Sequence, residues 1–115
     1  MHEIGIAESV LESVRAELSR HPGSRGVELG LKVGELSGVE ADALRFAFEA
    51  LTAGTDLEPL RISIESCPRR YLCLPCGREY ATGEWELVCP YCGASEARRI
   101  GGDELELSYL ELEEQ

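Results

Sequence analysis

Basic side chains, histidine and long apolar runs are all scarce in this chain. Its 115 residues hold 11 lysines and arginines against 22 aspartates and glutamates, a formal charge of −11. That deficit argues against DNA, RNA or an anionic membrane as a default partner, because each is bound through a net basic face. It suits cations or a basic protein surface. No apolar stretch approaches the ~20 residues that a membrane span needs. The start, Met1-His2-Glu3, carries no basic n-region and its apolar residues are spaced, so it does not read as a secretory signal. A cytoplasmic, reduced location is expected. There are only two histidines, no Ser/His/Asp set and no phosphate loop, so nothing points to catalysis.

What is present is unevenly placed. Residues 1–66 hold 12 acids and 6 bases, residues 67–100 hold 4 acids and 5 bases, and residues 101–115 hold 6 acids and no base. The near-neutral middle contains all five cysteines and reads as an insert between two acidic flanks.

The flanks alternate helix and strand. Ile4, Ala7, Leu11, Val14 and Leu18 recur at spacings of three and four, which predicts an amphipathic helix ended by His21-Pro22-Gly23-Ser24. Val27, Leu29, Leu31 and Val33 alternate with Glu28, Gly30, Lys32 and Gly34, the pattern of a half-buried strand. A turn over Gly34–Gly38 follows, with Ser37 as a candidate cap. Leu44, Ala47, Phe48 and Leu51 predict a second helix with Gly54 just past its end. Leu60, Ile62 and Ile64 predict a second strand running to about Ser66. In the last strand the apolar parity switches between Leu107 and Leu110, so either a bulge re-phases it or both faces are partly buried. The expected class is α+β: two helices packed on a three-stranded sheet, with an inserted lobe anchored at both ends.

Cys73-Leu74-Pro75-Cys76-Gly77 and Cys89-Pro90-Tyr91-Cys92-Gly93 are two C-x-x-C-G knuckles separated by 12 residues. Two pairs of thiolates are what a tetrahedral soft-ligand site requires. All four positions are filled by protein, so structural Zn(II) is the preferred reading, with iron as the runner-up. The metal would supply the core that a lobe this small lacks. Arg69, Arg70, Arg98 and Arg99 could form a basic patch beside Tyr71 and Trp85, too small to suggest nucleic-acid binding. Cys67 lies outside both pairs and reads as a small strand-end residue.

His21, at the end of the first helix, reads as a surface cap. His2 is different, because its imidazole sits beside the α-amine of Met1. The amine, the amide nitrogens of His2 and Glu3, and the imidazole offer four nitrogens, a set suited to square-planar Ni(II) or Cu(II). Binding must displace protons and so should weaken at low pH.

Taken together, these features resemble the HypA/HybF nickel metallochaperones of hydrogenase maturation. The resemblance rests on Met1-His2-Glu3, Val33-Gly34-Glu35-Leu36-Ser37, Phe46-Ala47-Phe48-Glu49, the paired cysteine knuckles and the closing strand from Glu104-Leu105. It implies a nickel-binding domain built from residues 1–66 and 101–115, with a zinc-binding domain inserted at 67–100. It implies Ni(II) at His2, with the Met1 amine and the Glu3 backbone, and Glu40 as a supporting acid. It implies zinc at Cys73, Cys76, Cys89 and Cys92. The GTPase HypB and a hydrogenase large-subunit precursor are the implied partners, and some relatives also serve urease. Cys67 is not required by the family pattern. The rival reading is a zinc-ribbon interaction module that delivers no metal.

Overall fold

The computed structural model of the protein describes residues 2–115. Eight elements follow in order: α1 (Glu3–Ser19), β1 (Ser24–Gly34), α2 (Ala41–Thr52), β2 (Arg61–Cys67), β3 (Arg70–Cys73), β4 (Glu79–Ala81), β5 (Ala97–Gly101) and β6 (Leu105–Glu114). They form two separate three-stranded sheets, ordered β2-β1-β6 and β4-β3-β5. The second sheet is the inserted lobe. The radius of gyration, 17.9 Å, exceeds the roughly 13 Å expected of a compact chain of this length. The principal extents, 54 × 26 × 16 Å, describe an elongated molecule.

In the larger sheet β1 and β2 are parallel, joined by α2 as the crossover that a parallel pair needs. β6 pairs antiparallel to β1 on the other side. The core beneath the helices is formed by Ile6, Ala7, Leu11 and Val14 of α1, Leu29, Leu31 and Val33 of β1, and Leu44, Ala47 and Phe48 of α2, closed by Leu57 and Leu60. Gly54, with φ 75°, ends α2 as the sequence suggests.

The parity switch in β6 is a bulge. Gly30 faces Tyr109 while Leu31 faces Leu107, leaving Ser108 unpaired. A second bulge, at Val27 of β1, offsets it and restores the register at the strand ends. This second one leaves no trace in the sequence, because Val27 fits the alternation.

Three expectations are corrected. Ile4 is 47% exposed. The buried stripe of α1 is rotated toward Ile6 and Val10, which face the sheet edge, and Ile4 falls outside it. Ser37 does not cap α2: its hydroxyl accepts the Val39 N–H within the turn, and the N-cap is Glu40, which makes no side-chain cap bond. The glycine face of β1 is not solvated. Gly30 and Gly34 are buried, the first beneath the Tyr109 ring and the second against the Gly102 carbonyl. A Cβ at Gly34 would overlap that carbonyl, so the close approach of the two chain segments requires glycine there.

That approach is the junction between the sheets. Gly34 N–H donates to Glu104 O, Leu36 N–H to Gly102 O and Glu35 N–H to Cys67 O. Arg69 occupies the centre and is only 3% exposed. Its Nε donates to Glu35 Oε1 at 2.8 Å and its guanidinium to Glu84 O at 2.9 Å. Its guanidinium carbon also stacks 4.4 Å from the Trp85 ring centroid. The four-arginine patch is thus reduced: Arg69 is enclosed, Arg70 pairs with Glu79 and Arg99 with Asp103, and only Arg98 is exposed with no ion pair among the described residues.

Candidate metal centres

The four cysteines of the knuckles converge. Cys73 and Cys76 flank the turn after β3, while Cys89 and Cys92 belong to the turn before β5. Each knuckle is tied by its own backbone. Gly77 N–H donates to Cys73 O at 2.8 Å and Gly93 N–H to Cys89 O at 2.9 Å. Both glycines hold positive φ, 76° and 79°, which closes the turn behind each cysteine pair. The four sulfurs lie within 4.8 Å of one another. The Cys73–Cys92 and Cys76–Cys89 separations are 3.5 and 3.8 Å. A tetrahedron with metal–sulfur bonds of about 2.3 Å has edges of about 3.8 Å. The donor set thus fits a tetrahedral cation, two of the separations already being close to that edge length.

Electrostatics agree. The Cys76 N–H favours the Cys73 thiolate, but burial and three neighbouring sulfurs push its pKa up to about 12. Burial opposes ionisation of Cys89, yet the N–H groups of Tyr91 and Cys92 bring it down to about 7. Four thiols so close cannot all ionise unaided, whereas a divalent cation would stabilise all four thiolates. Besides the metal site, the lobe has little core. Tyr71 and Tyr80 stack at 5.8 Å, and Leu87, Ala94 and Ala97 pack around Cys73 and Cys89.

Cys67 is not part of this group. It is buried at the end of β2, and burial, with Glu104 and Glu65 nearby, pushes its thiol pKa up. A raised thiol pKa and burial both oppose formation of the reactive thiolate.

The other candidate residues lie at the opposite end of α1 from its turn. His2 is the N-cap, extended at φ −76° and ψ 139°, exposed, with no side-chain cap bond. Its carbonyl accepts the Ile6 N–H that opens the helix. Glu3 sits in the first turn, and its Oε2 accepts the Glu40 N–H at 3.4 Å. The N-termini of α1 and α2 therefore meet, and Glu3 and Glu40 are brought together across 37 residues. Met1 lies outside the described residues. His21 forms a surface contact with Glu17, 3.3 Å away, at the last turn of α1.

The comparisons with known proteins point the same way. The family model described as "Hydrogenase/urease nickel incorporation, metallochaperone, hypA" matches residues 1–112. The chain belongs to the HypA family. A hydrogenase maturation factor HypA from Geobacter metallireducens is 41% identical over 113 residues, covering 98% of this chain and 100% of the relative. One from Acidithiobacillus ferrooxidans is 38% identical over 114 residues, with 98% and 100% covered. The solution structure of the Ni metallochaperone HypA from Helicobacter pylori covers 100% of both chains at 18% identity, with a TM-score of 0.66, and so shares the fold. The family is one of metallochaperones in hydrogenase maturation, not of enzymes. Among the described residues, no helix is long and apolar enough to cross a membrane. The four-cysteine site fits a zinc ribbon.

Proposed function

We propose that this chain binds Ni(II) at its N-terminus and delivers it, in the cytoplasm, to a [NiFe]-hydrogenase large-subunit precursor, with the GTPase HypB as partner. The family description also names urease, so urease accessory proteins are a second class of recipient. The nickel domain comprises residues 1–66 and 101–115, and residues 67–100 form an insert that holds Zn(II) at Cys73, Cys76, Cys89 and Cys92. Nickel is cargo and zinc is resident.

One observation carries the nickel assignment: the open end of α1. The first N–H groups of a helix have no intrahelical acceptor. The His2 and Glu3 amides are thus free to lose protons to a metal, and the exposed His2 imidazole is not engaged in capping. The Met1 amine completes four nitrogens, as the family resemblance implies. A cation at a helix N-terminus meets an unfavourable dipole. Glu3, and Glu40 close beside it, offset that field. Such a chelate can be released one nitrogen at a time as a receiving site supplies its own ligands.

The test is nickel binding by untagged protein. His2→Ala should abolish it while fold and zinc content persist, and an N-terminal extension should do equal damage by removing the free amine. Full nickel affinity in both variants would assign the cargo to another site, whereas no nickel binding by the unaltered chain would favour an interaction module without metal delivery.

A further inference from the structure

The larger sheet has three strands but only two helices to cover it. α1 lies over β1 and α2 over β2. β6, the edge strand, is left incompletely roofed. Leu105 and Leu107 point to the helix side, in register with the buried Val33 and Leu31, yet are 38% and 39% exposed. Between β6 and α1 runs an apolar groove of about 170 Å³, walled by Ile6, Val10, Leu31, Leu44, Leu105 and Leu107. Cavities of about 150 Å³ hold a benzene-sized group. Leu107 also borders a second recess, lined by Ser13, Glu17 and Leu110.

Beside this groove β6 presents a free backbone edge ten residues long. Edges of this kind pair with other strands unless they are blocked. Here the blocking is of one sign. Residues 101–115 carry six acids and no base. Glu106 and Glu111 are exposed and, among the described residues, form no ion pair. A second copy of β6 laid against the first would set carboxylates against carboxylates, which opposes homotypic pairing. A basic strand would meet the opposite situation.

We propose that β6 and its groove are a docking surface for an extended, basic, amphipathic segment of a partner protein. The segment adds as a fourth strand beyond β6. Its alternate apolar side chains enter the groove beside Leu105 and Leu107. Its lysines or arginines face Glu106 and Glu111. The proposal is independent of the nickel site.

A synthetic peptide of alternating lysine and valine, seven residues long and capped at both ends, is a suitable probe. It is titrated into the isotopically labelled full chain and followed by NMR. The expected result is shift changes confined to β6 amides and to Ile6, Val10 and Leu44, with slowed exchange of β6 edge amides. Leu107→Ser and Glu106→Lys should each weaken binding about tenfold. Glu106→Lys alters only an exposed side chain, so it keeps the test valid if Leu107→Ser perturbs the fold. Replacing the lysines of the peptide by glutamate, or methylating alternate backbone nitrogens, should abolish binding. Binding that survives these changes, or that maps to another face, would overturn the proposal. So would self-association of the peptide-free protein through β6, which would assign the groove to a second copy of this chain.

Discussion

The two sheets are held together by different means. Beneath the helices, twelve buried apolar residues form one continuous cluster. The corresponding cluster in the lobe has only four buried residues, two of them cysteines of the knuckles. A region stabilised by apolar burial keeps its shape whether or not a metal is bound at its edge. One whose core is the metal does not, because binding energy there is folding energy. The difference is what the proposed division of roles requires: an ion at the open end of α1 would leave at little structural cost, whereas emptying a four-sulfur site that forms the lobe's core would cost the lobe its fold.

The sharpest way to break this comparison is Cys73→Ser. It removes one of four donors and a fully buried side chain. Apparent zinc free energies in small domains are about 10 kcal/mol or more, so most of the lobe's stability should go. Amide exchange and zinc analysis should show β3–β5 unprotected and zinc lost, with β1, β2, β6 and both helices intact. Loss of protection in both sheets would mean that they share one stability.

A smaller effect is expected at the junction. Arg69→Ala leaves Glu35 and Glu84 O without their partner and removes the cation–π contact with the exposed Trp85 ring. Because Glu35 is half-exposed, the cost should be about 1–2 kcal/mol. Residual dipolar couplings should show the two sheets reorienting independently while each keeps its own metal chemistry. Unchanged couplings would show that the backbone bonds of Gly34, Leu36 and Gly102 suffice.

The smallest effect concerns the outer face of the larger sheet, where Tyr109 donates to Glu28, which also pairs with Arg61. The Tyr109 hydroxyl, then Arg61, lowers the Glu28 pKa from 4.5. The Glu28 carboxylate raises that of Tyr109 from 10.0. A lowered carboxyl stabilises the fold above its unfolded value and loses that contribution as pH falls through the folded one. A raised phenol stabilises below its unfolded value and loses it as pH rises through the folded one. Tyr109→Phe should therefore lower Tm slightly near neutral pH, with the difference shrinking toward both extremes. The lobe's metal content should not change. A gap that widens in acid would contradict the bond.

Sequence periodicity reached the long elements and marked a parity switch between Leu107 and Leu110, carried by four leucines, but left a bulge and two half-buried faces as equal readings; the register decides for the bulge. It could not reach β3–β5, which are three to five residues long, too short and too charged to show a period. Arg69 was legible only as a charge. Its burial depends on a partner, Glu35, that lies 34 residues away. The same contact explains the Val33–Ser37 run: Gly34 permits the close approach and Glu35 grips the arginine. The four sulfurs were readable from spacing alone, since the knuckle chemistry is local. The meeting of Glu3 with Glu40 was not, because it follows from how α1 and α2 pack.

The most direct test is competition on the doubly metallated, untagged protein. A chelator is added in steps while nickel, zinc and the amide spectrum are followed together. Nickel should leave first, with zinc retained and the spectrum of both sheets preserved except near His2 and Glu3. Nickel that leaves only together with zinc and with collapse of the β3–β5 signals would place the cargo in the lobe and contradict this division of roles.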